Sequence, residues 1–96
     1  MNQEELDLIK GVFTSDEAKD ILLTLIDNKI KFHNEKIFSD NVRFGLNNEE
    51  SVHRIKELKA LKLRISDILA KCESGESKVS IHSQIIIETL TEKEGV

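Results

Sequence analysis

The chain has 96 residues and a net charge of −4, which fits one mildly acidic globular domain and disfavours nucleic acid as a partner. Its single cysteine, Cys72, excludes an intramolecular disulfide, and no apolar run approaches the ~20 residues of a membrane span. We therefore expect a cytoplasmic protein without membrane contact, built as one domain over residues 1–96. Its ordered core should cover about residues 6–88, with a polar tail at 89–96.

A short apolar run at residues 6–13 predicts the first strand. Leu6 and Leu8 have one parity in this run, whereas Ile9 and Phe13 have the other. Gly11 indicates either a β-bulge or a close approach of the backbone to another group. The residues before the run are polar and are expected to fray.

Thr14 and Glu17 have the spacing of a capping box, which predicts that a helix begins directly after this strand. The helix should fade between residues 35 and 39. At about 100° per residue its apolar side chains form two stripes. One stripe contains Ala18, Ile21, Leu25 and Phe32, and the other contains Leu22, Leu23, Ile26, Ile30 and Ile37. A helix with two apolar stripes needs two packing partners.

The second half of the chain predicts a loop, a helix and a strand. Residues 40–48 contain a glycine and several asparagines and predict the main loop, and Asn47 or Asn48 is the expected cap of a helix at about 49–73. The main apolar stripe of that helix contains Ile55, Leu58, Leu61, Ile65, Ile68, Leu69 and Cys72. Residues 78–88 alternate between β-branched and polar side chains, which predicts the second strand.

Together these elements predict an α+β fold of order β-α-α-β, in which a long antiparallel helix hairpin packs on a two-stranded antiparallel ribbon. The second helix would cover one stripe of the first helix, and the ribbon would cover the other. A two-stranded ribbon is marginally stable alone and leaves its edges open, so we expect a homodimer with a four-stranded sheet. The alternative is an all-α helical hairpin that forms a dimeric four-helix bundle.

The titratable and nucleophilic side chains do not form a catalytic or metal-binding pattern. His33, His53 and His82 lie on three separate elements and lack the close ligand spacing of a zinc site. Cys72 falls on the core stripe of the second helix, as a structural cysteine would, and no P-loop, G-x-G-x-x-G or G-x-S-x-G motif is present. We therefore expect no metal, no cofactor and no enzymatic activity.

A basic segment lies in the second helix, where residues 54–64 contain five Lys or Arg and one Glu and so have a charge of +4. Lys56, Lys59 and Lys62 span about 120° of the helix surface and are the candidate residues for binding an anion or nucleic acid. The commoner explanation for such lysines is that their aliphatic stems flank an apolar stripe.

The predicted loop carries the other candidate site, because loops with aromatic, basic and amide side chains often bind ligands or partners. The candidate residues for a small ligand or a protein partner are His33, Phe38, Asn41, Arg43 and Phe44. The favoured interpretation is structural: the two phenylalanines plug the open end of the helix hairpin, and the arginine caps helix carbonyls.

Over roughly residues 8–88 the chain resembles a group of small, uncharacterised bacterial proteins. The resemblance rests on the segments FTSDEAKDIL, KIKFH, FSDNVRFG, RIKELKALKLRI and KVSIHSQIII, in this order. That group has no assigned activity, so the resemblance implies no catalytic residue, cofactor or partner, and only adds interest to residues 38–45 as a shared segment.

Our functional expectation is a non-enzymatic homodimer that serves as a protein–protein interaction or regulatory module. Nucleic-acid or anion binding through Lys56, Lys59 and Lys62 is one alternative. A small-ligand site near His33 and Arg43 is the other.

Overall fold

The structure is a computed structural model that describes residues 2–72 and 78–90. In chain order its elements are β1 (Gln3–Thr14), α1 (Ser15–Phe44), α2 (Glu49–Ala70) and β2 (Lys78–Glu88). The two strands pair antiparallel along their whole length, and the two helices form a hairpin. This confirms the predicted α+β fold with the order β-α-α-β.

The boundaries of β2 match the prediction, whereas those of the other elements differ. β1 begins at Gln3, so residues that were expected to fray belong to the ribbon. α1 continues to Phe44 instead of fading between residues 35 and 39, and this shortens the predicted loop at 40–48 to residues 45–48. The predicted end of the second helix at residue 73 and most of the predicted tail fall in 73–77 and 91–96, which lie outside the described residues.

Local hydrogen bonds explain where the helices begin and end. The Thr14 side chain accepts from the Glu17 N–H at 3.1 Å, and the Glu17 carboxylate accepts from the Thr14 N–H at 2.9 Å, so the predicted capping box is present. Gly45 ends α1 with a φ of +64°, a conformation that glycine adopts without a Cβ clash. Asn48 is the cap of α2, because its side-chain oxygen accepts from the Ser51 N–H at 2.9 Å.

Two polar contacts hold the hairpin at its ends, and apolar side chains fill it between them. The Ser15 hydroxyl donates to the Leu69 carbonyl at 3.2 Å, and 18 residues along α1 the His33 Nδ1 lies 3.0 Å from the Ser51 Oγ. The buried apolar side chains of the hairpin are Ala18, Ile26, Ile55, Leu58 and Leu69. The stripe of α1 that contains Leu22, Leu23, Ile26, Ile30 and Ile37 is buried or half-buried along its length.

A β-bulge explains why the apolar residues of the first strand do not all fall at alternate positions. Asp7 pairs with Gln84 and Ile9 pairs with Ser83, so Leu8 is an extra residue without a partner in the ladder. The bulge brings residues of opposite parity to one face, and that face carries Leu6, Ile9, Gly11, Phe13, Val79, Ile81, Ile85 and Ile87. The ribbon therefore has one mainly apolar face and one mainly polar face, the exceptions on the polar face being Val12 and Ile86.

Of the two possibilities for Gly11, the structure shows the close approach of another group to its backbone, whereas the β-bulge lies at Leu8. A Cβ at Gly11 would lie 3.3 Å from the ring of Phe13 on the same face. The Phe13 ring thus lies over the Gly11 backbone.

The molecule is elongated. Its dimensions are 58 × 33 × 14 Å and its radius of gyration is 17.6 Å, whereas a compact domain of this length has about 12.5 Å. Among the described residues only six apolar side chains are buried, one from the ribbon and five from the hairpin. The fold thus encloses a small core and leaves much of its apolar surface open.

Candidate interaction surfaces

In the part of the chain that the structure describes, the backbone of the ribbon comes close to that of α1 and not to that of α2. Within the described residues, no Cα atom of α2 lies within 8 Å of a Cα atom in either strand. In the α1 stripe that begins at Ala18, Ala18 is 0% exposed, Leu25 39% and Phe32 54%. The prediction that α2 and the ribbon between them cover both stripes is therefore wrong for the later part of this stripe.

The apolar face of the ribbon divides at the bulge. On the side toward α1, Ile9 is buried and Phe13 is half-buried. Beyond the bulge the apolar residues of this face are Leu6, Ile85 and Ile87, which are between 37% and 50% exposed, and Glu4 lies beside them opposite Ile87. We name the three apolar residues the distal face. The alternation of residues 78–88 in the sequence predicts that Ile85 and Ile87 share a face. It does not predict that Leu6 lies on the same face as Ile9, because the bulge interrupts the alternation of β1 between them.

A second open apolar surface lies on the hairpin. Leu25 and Phe32 are seven residues apart on α1, and Leu61 and Ile68 are seven apart on α2, so each pair spans two turns on one side of its helix. All four are between 39% and 54% exposed. When the two antiparallel helices are wound from the line of their buried residues, both pairs fall on the same side of the hairpin. We name these four residues the hairpin face.

The free end of the ribbon and the basic segment of α2 have opposite net charge. Most of these charges, however, lie off the two apolar faces, since Glu5, Asp7 and Glu88 lie on the other face of the ribbon and Lys62 is bound to Asp27. Residues 3–7 and 84–88, at the free end of the ribbon, contain four acidic residues and no Lys or Arg, so their charge is −4. Residues 54–64 of α2 have a charge of +4. Arg54 and Arg64 have helical spacing to Leu61, seven residues before and three after it, and so flank the hairpin face. Arg54 pairs with Glu57 at 3.0 Å, whereas Arg64 has no ion pair in the part of the chain that the structure describes.

The polar face of the ribbon carries a cross-strand ion pair. His82 Nε2 lies 2.8 Å from the Asp7 carboxylate, whose other oxygen is 3.8 Å from the Lys10 ammonium. The hydrogen bond from His82 is the main reason that the pKa of Asp7 is lower than its ordinary value. This contact binds the two strands together on the side that faces away from the apolar residues.

The structure overturns the predicted plug at the open end of the hairpin. Phe38 is 71% exposed and Phe44 66%, so neither ring fills the end. The carbonyl of Asn41 accepts from the Gly45 N–H at 2.9 Å, and backbone groups thus do the capping that was assigned to Arg43. All five candidate residues lie on α1, which ends five to nine residues later than predicted.

The five candidate residues do not converge on one site. His33 points into the hairpin toward Ser51, and it lies ten residues before Arg43, which is about 15 Å along the helix axis. Phe38 and Asn41 do line a groove of about 320 Å³ at the open end, whereas Phe44 does not. The other residues of this groove are Asn34, Ile37, Leu46, Asn47, Asn48 and Val52.

A larger groove of about 620 Å³ runs along the outside of α1. Its lining residues are Asp27, Ile30, Lys31, Asn34, Glu35 and Phe38. All six come from one helix, so within the described residues no second element faces them across the groove.

The predicted basic stripe is not gathered into one anion site. Lys62 is bound to Asp27 of α1, with 2.7 Å between ammonium and carboxylate. Lys56 and Lys59 are exposed and lie at successive 60° steps around α2 from Lys62. The structure therefore leaves two of the three lysines available to an external anion.

Within residues 2–72 and 78–90, no group of three or more His, Cys, Asp or Glu side chains is placed to hold a metal ion. In the same part of the chain no helix is both long and apolar enough to cross a membrane. No protein-family model, curated protein or solved structure matches the chain.

Proposed function

We propose that this protein is a homodimer and that it serves as a non-enzymatic protein–protein interaction or regulatory module. The observation that carries the proposal is the apolar surface that one copy leaves open. The distal face and the hairpin face together contain seven large apolar side chains at 37% to 54% exposure. Monomeric proteins rarely leave apolar patches of this kind uncovered.

The amount of exposed surface supports the same proposal. The chain exposes 7849 Å², whereas a compact monomer of 11.0 kDa exposes about 5,600 Å². The excess of about 2,200 Å² for one copy is larger than the roughly 800 Å² that each partner buries in a standard interface, and it exceeds the lower end of the roughly 1,000–2,500 Å² that each partner of an obligate dimer commonly buries. One copy therefore has more than enough open surface for a stable dimer.

Sedimentation equilibrium on the full chain, from low to high micromolar concentration, tests the proposal. We expect twice the mass of 11.0 kDa across this range. A monomer at every concentration would refute the homodimer.

A second candidate is the binding of a small polar ligand in the open-end groove. The observation in its favour is that four of its eight lining side chains are asparagine amides, beside Phe38, in a space within the size range of ligand sites. The test is an NMR titration with a library of small amides and acids, read on the side-chain amide signals. Shifts confined to Asn34, Asn41 and Asn47 would support it, and shifts scattered over the surface would contradict it.

Anion binding through the lysine stripe has weaker support, because Asp27 already neutralises Lys62. If the remaining pair, Lys56 and Lys59, binds nucleic acid, affinity should fall with rising salt and vanish on charge reversal. No mobility shift of a labelled oligonucleotide at low salt would remove this alternative.

A further inference from the structure

We propose that the outer edge of β2 is the site at which a second copy of this chain binds. The β2 strands of the two copies pair antiparallel about a two-fold axis at Ser83, and the two ribbons become one sheet of order β1-β2-β2-β1. This inference rests on the proposed homodimer and names the edge, the register and the contacts that form it.

The first argument is that β2 has an open edge. Within the described residues the sheet consists of β1 and β2 only, so each strand is paired on one side and open on the other. An open edge presents a row of N–H and C=O groups that no strand pairs, and it is a template for another strand. In β2 this edge is 11 residues long.

The edges of β1 and β2 differ in the features that prevent such pairing. β1 has a bulge at Leu8 and four charged side chains between residues 4 and 10. Bulges and charged side chains both protect a strand edge. β2 has no bulge, glycine or proline, and it has Lys or Glu only at its two ends, Lys78 and Glu88. The edge that can accept a second strand is therefore that of β2.

The second argument is that β2 is complementary to itself in one register. When a two-fold axis passes through Ser83, residues at equal distances before and after it lie opposite each other, and all 11 residues of β2 have a partner. Lys78 then lies opposite Glu88 of the second copy, on the same face of the sheet, and this contact forms twice. Neither side chain has an ion pair within the described part of its own chain.

Other registers lose these contacts. A shift of the axis by half a residue puts the apolar side chains of one copy on the side of the polar ones of the other. An axis at His82 places that histidine opposite itself, and an axis at Gln84 places Glu88 opposite Ser80. Both of these registers separate Lys78 from Glu88 and leave two residues of each strand unpaired.

The third argument is that the same register gives neighbours to the open isoleucines of β2. Ile85 and Ile87 are 37% and 50% exposed, whereas Val79 and Ile81 are half-buried at the end of the ribbon where α1 begins. Pairing about Ser83 places Ile85 opposite Ile81 of the second copy, and Ile87 opposite Val79. Cross-strand pairs of β-branched side chains stabilise a sheet, and here they form on the mainly apolar face.

Charge reversal at the two ends of β2 tests the pairing, with sedimentation equilibrium as the measurement. Lys78→Glu alone and Glu88→Lys alone should each dimerise at least about fivefold more weakly than wild type, because two attractive contacts become repulsive. An equimolar mixture of the two variants should return to within about threefold of wild-type affinity, because both contacts of the mixed dimer are attractive again. Glu5→Lys is the matched control, since it makes the same charge change on the strand away from the interface and should dimerise as wild type does.

Cysteine cross-linking tests the register independently. In a Cys72→Ser background, Ser83→Cys places two thiols opposite each other at the axis, where the Cα atoms of opposite residues are about 4.5–5.5 Å apart and a disulfide can form. Ser80→Cys is the matched control, because its two copies lie six residues apart along the paired strands. Under mild oxidation with oxidised glutathione, only Ser83→Cys should give a covalent dimer on a non-reducing gel. Far-UV circular dichroism establishes that each variant is folded.

The outcomes separate this inference from the proposed function. A monomeric wild type overturns both. A dimeric wild type whose affinity is unchanged by the single charge reversals, or is not recovered in the mixture, overturns pairing through β2 and leaves the homodimer standing. Cross-linking of Ser80→Cys that equals or exceeds that of Ser83→Cys overturns the register about Ser83.

Discussion

Replacement of Leu69 by alanine tests whether the small hairpin core carries the stability of the fold. Leu69 is 2% exposed, and its carbonyl accepts the Ser15 hydroxyl where α1 begins. Truncation of a buried leucine removes its transfer free energy and leaves a cavity, which together cost roughly 2–5 kcal/mol. We expect a loss of about 3 kcal/mol, against a total of about 5–14 kcal/mol for a chain of this length.

Leu63→Ala is the matched control, because it makes the same change on the same helix at a side chain that is 71% exposed. Full burial of a leucine contributes about 1.5–3 kcal/mol, and the covered 29% of Leu63 therefore about 0.4–0.9 kcal/mol. The two variants share the same difference in helix propensity, so it cancels from the comparison. Leu69→Ala should thus be the more destabilising by about 2 kcal/mol.

Urea unfolding followed by far-UV circular dichroism measures both losses. The titrations need equal protein concentrations, repeated at several values, because a dimer gains stability with concentration. Equal losses of stability from the two variants, or a larger loss from Leu63→Ala, would contradict the burial of Leu69 in the hairpin core.

Three further predictions concern caps and the ribbon. Thr14→Ala removes the capping-box acceptor and should lower the free energy of unfolding by about 1 kcal/mol in the same titration; an unchanged midpoint would contradict it. Gly45→Ala forces a Cβ into a φ of +64° and should cost about 1 kcal/mol, whereas Gly45→Asn should cost less, and the reverse order would count against the cap. His82→Ala should return the Asp7 pKa toward its ordinary value, as measured by carboxyl NMR titration. The pKa of Asp7 is lower in the folded protein than in the unfolded chain, so the stabilisation is fully present above the unfolded pKa and is lost as the pH falls through the folded pKa. The free energies of unfolding of the variant and the wild type should therefore converge only below about pH 4. An Asp7 pKa that does not shift in the variant would refute this.

The parts of the fold that the sequence predicted correctly are those that local chemistry determines. The capping box needs only Thr14, Glu17 and the backbone between them, so it can be read without knowledge of the rest of the chain. Alternation of β-branched and polar side chains likewise determines which face of β2 is apolar. The helix stripes predicted that α1 has more apolar surface than one partner covers.

The parts that the prediction missed depend on longer-range contacts. Residues 39–44 include Ser, Asp and Asn, which are poor helix formers, so propensity favoured a loop there. Asp40 instead accepts the Asn48 side-chain amide at 2.7 Å across the turn, a contact that ties the end of α1 to the start of α2. The candidate site was expected in a loop, where its residues could converge. Because the segment is helical instead, His33 and Arg43 lie far apart along the axis of α1.

The β-bulge in β1 separates the covered part of the ribbon's apolar face from its exposed part. The apolar face of the ribbon changes from covered to exposed between Ile9 and Leu6, which is where the extra residue Leu8 lies. A bulge bends its strand and increases the local twist. We therefore expect that it turns the distal face away from the chain's own α1 and keeps it available to a second copy.

Deletion of Leu8 tests this role. Asp7↔Gln84 and Ile9↔Ser83 would become successive pairs, so both faces of the ribbon keep their residues and the fold should survive. A straighter ribbon can continue over its own α1 and cover Leu25, in competition with the second copy. The deletion should therefore weaken dimerisation by at least about tenfold in sedimentation equilibrium, equivalent to about 1.4 kcal/mol.

Leu8→Ala is the control for that deletion, because it retains the extra backbone residue and removes only a half-exposed side chain. It should dimerise as wild type does. Cross-strand NMR contacts between Leu6 and Ile85 should persist in both variants, which separates a change in ribbon direction from loss of the ribbon. Wild-type affinity in the deletion variant would mean that the bulge serves only the register of β1 and that the direction of the ribbon is determined where Thr14 joins α1.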